Sequence, residues 1–209
     1  MSEVIKYKGK ERDQRGYYFF NDDFAFLNIP KNASTTLRLL LELHNREKMK
    51  DKNDEVFHNR TTFTVIRNPI DRIISGYSEV SKCRHDGLHE YTRSLPFYNM
   101  QNPDQKLQRF ETFIDNIYDN LYDEHIKAQT FYLNDIKVDY FIIFDNLENE
   151  VNSMLRDNDF PVLNFEKRWN TGLTDKDVYK DFIYENDNIL NKIKKMFAED
   201  FELYENLKK

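Results

Sequence analysis

The sequence predicts an α/β fold in which helices flank a buried, mostly parallel central sheet. Apolar runs of strand length recur along the chain, and segments with helical periodicity follow them. Most of the runs are apolar at nearly every position, which is typical of strands that are covered on both faces. This alternation of strands and helices predicts a three-layer α/β architecture.

The first predicted elements lie within residues 17–47. Residues 17–20 (YYFF) and 24–29 (FAFLNI) are separated by Asn-Asp-Asp, which predicts two strands around a turn or one strand that approaches the sheet. Pro30 ends the second run. Residues 34–47 (STTLRLLLELHNRE) then predict a helix, because leucines recur there at helical spacing after Ser and Thr.

Two further strands and their helices complete the predicted fold. Residues 61–67 (TTFTVIR) and 138–144 (VDYFIIF) are the strands, and an amphipathic helix begins at about Pro69. Residues 81–105 indicate a long polar surface excursion, and residues 164–172 (NFEKRWNTG) indicate a loop. The other predicted helices are 106–120, 122–133, 147–156, 175–184 and 186–200.

Composition and charge limit the classes of function. The chain has 209 residues, of which 39% are hydrophobic and 15% aromatic, enough for one packed domain. Glycine and proline are scarce and no linker-like stretch is present, so residues 1–209 are predicted to be one domain with a flexible or peripheral segment at 1–16. The net charge of -6 argues against a general nucleic-acid-binding protein but is compatible with a local basic pocket for a small anion.

Cysteine content and hydropathy bear on the compartment. Cys83 is the single cysteine, which excludes an internal disulfide and a zinc site built from several cysteines. The first residues are polar and charged, unlike a signal peptide, and no run approaches the roughly 20 apolar residues of a membrane span. We therefore expect a cytoplasmic protein with neither a membrane span nor a nucleic-acid partner.

Residues 29–37 (IPKNASTTL) join a predicted strand to a predicted helix. A helix N-terminus carries unpaired N–H groups and the positive end of the helix dipole, which together bind anions. Lys31 adds a charge, and Ser34, Thr35 and Thr36 add hydroxyl donors. The segment differs from a Walker loop, because its lysine precedes the hydroxyl residues and it has no glycine. We therefore expect a P-loop-like element of another kind. The alternative is an ordinary helix cap beside a solvated lysine.

Residues 65–77 (VIRNPIDRIISGY) form a second strand–loop–helix segment. Arg67 ends the strand and Ser75 lies two turns into the helix, so both side chains are expected to converge on one anion. A guanidinium suits phosphate oxygens, and a serine adds a hydroxyl donor. The alternative pairs Arg67 with Asp71 in a structural ion pair and makes Ser75 a packing residue. Arg72 is expected to brace the helix against the sheet.

Together, the two segments resemble those of sulfotransferases that use 3′-phosphoadenosine-5′-phosphosulfate (PAPS). PKNASTT (30–36) is similar to their 5′-phosphosulfate loop, and RNPIDRIISGY (67–77) to their 3′-phosphate motif, R-x-P-x-x-R-x-x-S-x-Y. The resemblance is greatest to the carbohydrate branch that includes the chondroitin, dermatan and heparan 2-O enzymes. Weaker similarity at His125-x-x-x-Gln129, VDYFIIFDNLENE and MFAEDFELYENL extends it over residues 24–207.

This resemblance implies a P-loop-like α/β fold and in-line transfer of a sulfuryl group from PAPS to a small-molecule or glycan acceptor. The branch suggests a sugar hydroxyl as acceptor, and 3′,5′-adenosine bisphosphate (PAP) is the implied product. Lys31 would stabilise the bridging oxygen of the leaving group, whereas Arg67, Ser75 and Arg168 would hold the 3′-phosphate. No metal is implied. The residues expected to bind the donor are Lys31, Asn32, Ala33, Ser34, Thr35, Thr36, Arg67, Ser75 and Arg168.

The acceptor must lose a proton, which calls for a histidine or a carboxylate near the sulfur. Several sulfotransferases keep a base histidine just before the strand that ends in Arg67, so the resemblance makes His58 the expected general base. Glu42 and Glu55 are the competing carboxylates. Trp169 is expected either to face the adenine or to anchor the core.

Two other classes of function remain open on the sequence alone. A nucleotide or small-molecule kinase would share the phosphate-loop architecture, but it needs Mg²⁺ with ATP and a Walker lysine, which the sequence lacks. A catalytically silent nucleotide-binding protein would keep the fold without the transfer reaction.

Overall fold

The computed structural model describes residues 17–48, 59–80, 105–118, 124–133, 136–165 and 175–209. A five-stranded sheet lies at its centre. The strands are β1 (Tyr17–Phe20), β2 (Phe24–Asn28), β3 (Asn45–Lys48), β4 (Thr61–Ile66) and β5 (Tyr140–Ile143). Their order across the sheet is β3-β1-β2-β4-β5.

Strands β2, β3, β4 and β5 all point in the same direction. β2 pairs with β4 and β4 with β5 in parallel, whereas β1 is antiparallel to both β2 and β3. β1 and β2 form a hairpin, and in its turn Asn21 Oδ1 accepts hydrogen bonds from the backbone N–H groups of Asp23 and Phe24 at 3.0 and 2.8 Å. The prediction of a mostly parallel α/β sheet is therefore confirmed.

Helices cover both faces of the sheet, as predicted. Phe26 and Phe63 pack in one apolar cluster with residues 37–41 and 147–155, whereas Ile66 packs in another with Tyr132 and Tyr204. The α-helices are α1 (Ser34–Leu40), α2 (Pro69–Val80), α3 (Lys106–Tyr118), α4 (Thr130–Leu133), α5 (Leu147–Asp157), α6 (Lys176–Glu185), α7 (Asp187–Met196) and α8 (Ala198–Leu207). A third cluster joins α2, α3, α6 and α7.

The prediction of one helix over residues 34–47 is wrong. After the short helix α1, Glu42 has a left-handed φ of 52°, and Asn45–Lys48 forms the edge strand β3. β3 pairs with β1, and the guanidinium carbon of Arg46 lies 3.8 Å from the centroid of the Tyr17 ring. Sheet hydrogen bonds and this ring contact outweigh the helical spacing of the leucines, because intrinsic propensity is a weak preference.

Two other helix predictions need correction, and some predictions lie beyond what is described. Residues 124–129, predicted to be helical, form turns and bends before α4. Residues 186–200 span two helices, because α7 ends before Phe197 and α8 begins after it. Across the described ranges, no helix has both the length and the apolar character needed to cross a bilayer. Predictions for residues 1–16, 81–104 and 166–172 fall outside the described residues.

Candidate functional site

A tight loop connects β2 to α1 at the carboxyl end of β2. The backbone N–H of Asn32 donates to the carbonyl of Ile29 at 3.2 Å and closes the turn. Lys31 and Ala33 have left-handed φ angles of 72° and 62°. Such angles are uncommon for residues other than glycine, and backbone of this kind clusters at ligand-binding sites.

The start of α1 offers backbone donors to the space in front of this loop. The first hydrogen bond of the helix runs from the N–H of Leu37 to the carbonyl of Ala33 at 3.0 Å. The N–H groups of residues 34–36 therefore precede the helical ladder and lie at its open, electropositive end. This is the arrangement that the sequence predicts for an anion-binding loop.

The three hydroxyl residues at the start of α1 have different surroundings. Ser34 donates its hydroxyl hydrogen to Asn28 Oδ1. One hydrogen cannot serve Asn28 and an anion at once, so Ser34 must exchange partners to contact a phosphate oxygen. Thr35 is exposed, whereas Thr36 is buried. Of the three side chains, Thr35 is the one that already faces solvent.

Asn32 holds the loop against the sheet through its side chain. It is fully buried, and its Nδ2 donates to the carbonyl of Val65 and to Gln129 Oε1, each at 2.6 Å. The sequence predicts that Asn32 contributes its backbone N–H to the donor. In the structure this N–H donates to the carbonyl of Ile29, and the side chain of Asn32 ties the loop to the end of β4.

Arg67 follows β4, which is the parallel neighbour of β2, so the two candidate segments lie at the same edge of the sheet. Arg67 Nη1 donates to the carbonyl of Lys31 at 2.8 Å, and the guanidinium carbon lies 4.3 Å from the centroid of the Phe144 ring. Burial lowers the pKa of Arg67, and the charge of Asp71 offsets part of that effect. Arginine nevertheless stays protonated in proteins.

The guanidinium of Arg67 also retains an unused donor. Its Nε is buried, and no described residue accepts a hydrogen bond from it. A buried N–H without an acceptor is costly, so an anion that accepts from Nε would remove that cost. Asp71, the predicted alternative partner of Arg67, instead forms ion pairs with Lys176 and Lys180 at 2.9 and 3.3 Å.

One face of α2 is turned toward the loop. Arg72 Nε donates to the carbonyl of Pro30 at 3.2 Å, and its Nη1 donates to the carbonyl of Lys127 at 2.6 Å, so this buried residue braces the helix as expected. Ser75 lies one turn further along α2 and is half-buried. Residues three and four apart share a helix face, which places Ser75 on the side of α2 that contacts the loop.

Glu79 lies on that same face and forms an ion pair with Lys31. Its Oε2 is 3.3 Å from Lys31 Nζ, and the side chain of Glu79 is 26% exposed and that of Lys31 18%. Glu79 is not among the residues that the sequence predicts for the site. Its position four residues after Ser75 is the signal that would have found it, because such spacing repeats a helix face.

The expected general base, His58, and the part of the 164–172 loop that carries Arg168 are not covered by the described residues. His58, Glu55, Arg168 and Trp169 all lie outside the described ranges, so their assignments stay predictions. Glu42 is exposed and follows the C-terminal end of α1, which separates it from the Lys31 loop by a helix about 10 Å long. Within the described part of the chain, no group of three or more histidine, cysteine, aspartate or glutamate side chains is arranged to hold a metal ion.

Comparison with known proteins identifies the family of this chain. The model of the sulfotransferase family matches residues 17–205, which include all five described strands and both candidate anion-binding segments. Neither the curated proteins nor the solved structures contain a significant match. A family match of this length, on a chain with an α/β sheet and two candidate anion-binding segments at one sheet edge, shows that the chain belongs to the sulfotransferase family.

Proposed function

We propose that the protein transfers a sulfuryl group from PAPS to an acceptor hydroxyl, with a carbohydrate as the acceptor class. Membership of the sulfotransferase family supports sulfuryl transfer in general. The PAPS donor is supported by the two segments that resemble its 5′-phosphosulfate and 3′-phosphate sites. The carbohydrate acceptor rests on the resemblance to the carbohydrate branch.

The observation that carries the donor proposal is the contact between the two segments. Arg67 Nη1 lies 2.8 Å from the carbonyl oxygen of Lys31. A basic side chain that follows β4 is thus held directly beside the loop that follows β2. PAPS carries charge at both its 5′ and its 3′ positions, and it would engage both segments at once.

The residues present suit such a bis-anionic donor. The open N–H groups of residues 34–36 and the ammonium of Lys31 would face the phosphosulfate. The Arg67 guanidinium, with its unused Nε donor, would face the 3′-phosphate. Ser75, on the loop-facing side of α2, would add a hydroxyl contact.

In the proposed reaction, the acceptor oxygen forms a bond to sulfur while the bond from sulfur to the bridging oxygen breaks. The electron pair of the broken bond stays on the 5′-phosphate of PAP, and the acceptor proton passes to a base, for which His58 is proposed. Lys31 would stabilise the charge that develops on the bridging oxygen. Positioning and electrostatics dominate transfers of this type, so no covalent enzyme intermediate is needed.

Two measurements test the proposal. Calorimetry with PAP and with ATP plus Mg²⁺ should show binding of PAP and much weaker binding of ATP, whereas a kinase would show the reverse preference. Incubation with ³⁵S-labelled PAPS and a panel of glycans should transfer the label to sugar. Binding of PAP without transfer to any glycan or small hydroxyl compound would indicate a catalytically silent binding protein.

A further inference from the structure

Gln129 joins the two candidate anion-binding segments. It lies just before α4 and is fully buried. Its Oε1 accepts hydrogen bonds from Asn32 Nδ2 at 2.6 Å and from the backbone N–H of Arg67 at 2.9 Å, and its Nε2 donates to the carbonyl of Arg67 at 2.9 Å. One side-chain amide thus contacts the loop after β2 and the residue after β4.

The two hydrogen bonds between the Gln129 side chain and the Arg67 backbone replace those that a neighbouring strand would form. The pairing of β4 with β5 ends at Ile66, so the backbone of Arg67 lies beyond the parallel ladder. Gln129 supplies a donor and an acceptor to that one residue, as a paired strand would. The path of the chain that presents the Arg67 guanidinium is therefore fixed by a side chain from a distant segment.

Gln129 is itself held by the C-terminal helix α8. Asp200 is 1% exposed, and its carboxylate accepts from the backbone N–H groups of Gln129 and Thr130 at 2.7 and 2.9 Å and from the Thr130 hydroxyl at 3.0 Å. Burial raises the pKa of Asp200, and these hydrogen bonds with the charge of Arg72 oppose that rise. A buried carboxylate with three donors forms a rigid support, because breaking any one bond leaves an unsatisfied group.

We propose that Gln129 is a positioning residue that sets the spacing between the Lys31 loop and Arg67. The inference rests on the proposed function, because it concerns how the protein recognises a nucleotide with charge at two ends. A ligand that must contact both segments depends on their spacing, whereas a ligand with one phosphate depends on one segment only. Loss of Gln129 should therefore penalise PAP more than adenosine monophosphates.

The test compares three ligands on the full chain with calorimetry. PAP has both phosphates, whereas adenosine 5′-monophosphate and adenosine 3′-monophosphate each have one. We expect Gln129→Ala to raise the Kd of PAP by about tenfold more than that of either monophosphate, a coupling typical of residues in one hydrogen-bond network. An equal change for all three ligands would overturn the inference while leaving the proposed function intact.

Asn152 provides a matched control. Its side-chain amide also bonds both backbone groups of one residue, with Oδ1 accepting from the N–H of Leu163 at 2.7 Å and Nδ2 donating to its carbonyl at 3.0 Å. Asn152→Ala should lower the melting temperature without changing the ratio of PAP to monophosphate affinity. A change in that ratio would show that general loosening, not spacing, is responsible.

A milder variant keeps the inference testable if Gln129→Ala does not fold. Gln129→Asn keeps the amide but shortens the side chain by one methylene, and it should give a smaller change of the same kind. If both Gln129 variants fail to fold while Asn152→Ala folds, Gln129 is structural only and the inference is wrong. If the wild-type chain does not bind PAP, the donor assignment fails first, and that result is distinct from every outcome of the variants.

Discussion

The ammonium nitrogen of Lys31 lies 3.3 Å from Glu79 Oε2, so the lysine proposed to stabilise the leaving group is paired with a carboxylate from α2. An anionic donor would compete with Glu79 for the same ammonium. It would also experience the negative charge of Glu79 at short range. The ion pair therefore opposes donor binding, and substitution of Glu79 should increase the affinity for the donor.

We expect Glu79→Gln to tighten PAP binding by up to about fivefold. The substitution removes a competing charge, and partly exposed ion pairs are worth up to about 1 kcal/mol. Calorimetric Kd values at low and high salt measure the effect, which should shrink as salt screens the charge. Glu205→Gln, an exposed position on α8, is the control for the change in net charge. Weaker PAP binding in Glu79→Gln would contradict competition between Glu79 and the donor.

Lys31→Met should lower the rate of sulfuryl transfer at saturating PAPS by about 10²- to 10³-fold, as loss of one donor to a developing oxyanion does in other enzymes. The Kd of PAP should change far less, because the bridging oxygen gains its full charge only as the bond breaks. Methionine has a Cβ, so it meets the left-handed φ of 72° at no more cost than lysine does. Single-turnover transfer of ³⁵S measures the rate, and a Lys31→Met variant with wild-type turnover would refute the assignment.

The sequence predicts the central strands of the sheet but not the edge strand that follows α1. Runs rich in aromatic and β-branched residues predict β2, β4 and β5 correctly, because such residues suit the largely buried strands of a central sheet. The edge strand β3 is polar (NREK) and, among the described strands, pairs with β1 alone, so its conformation depends on a partner far along the chain. No local pattern in residues 45–48 contains that information.

In the candidate site too, some residues are predicted from local sequence and others are not. The loop with Lys31 and the strand end with Arg67 were predicted from motifs, because their chemistry depends on neighbouring residues in sequence. Gln129 and Asp200 act through contacts with residues 62 to 97 and 70 to 71 positions away. Only the folded chain reveals such contacts.

Arg67→Gln should weaken PAP binding by about ten- to a hundredfold, the range for a lost charge-assisted hydrogen bond to phosphate. Binding of adenosine 5′-monophosphate should change little, since that ligand lacks the 3′-phosphate. Arg60→Gln is a matched control, because Arg60 Nε also donates to a backbone carbonyl, that of Asn21 at 2.6 Å, and its guanidinium carbon lies 5.0 Å from the Phe20 ring centroid. Equal losses for the two nucleotides would argue against a 3′-phosphate contact.

The ion pairs of Asp71 with Lys176 and Lys180 predict a pH-dependent contribution to stability. Burial alone would raise the pKa of Asp71, but the hydrogen bond and charge of Lys176, followed by those of Lys180, bring it below its ordinary value of 3.8. Since the folded state binds this proton less readily than the unfolded state, the stabilisation is present above the unfolded pKa and is lost as pH falls through the folded pKa.

Urea unfolding of the wild type and of Asp71→Asn across acidic pH measures this contribution. The wild type should be more stable at neutral pH, and the difference in free energy of unfolding should narrow below about pH 4. Asp187→Asn, in the first turn of α7, tests for a general effect of removing a carboxylate. A gap between wild type and Asp71→Asn that stays constant down to pH 2 would refute the ion-pair explanation.

Gly76→Ala should destabilise the protein even though alanine is the better helix former. A Cβ at Gly76 would lie 2.7 Å from the carbonyl oxygen of His125 and 3.1 Å from Ile126 Cγ2, so α2 would have to move away from the segment that leads to Gln129. Such overpacking costs about 1–3 kcal/mol, more than the gain of about 1 kcal/mol in helix propensity. Ser153→Ala on the exposed face of α5 should instead leave the free energy of unfolding unchanged or slightly raised. The strain falls beside the segment that leads to Gln129, so Gly76→Ala should also weaken PAP binding. A Gly76→Ala variant with unchanged stability and an unchanged Kd for PAP would show that α2 and residues 125–126 are not in close contact.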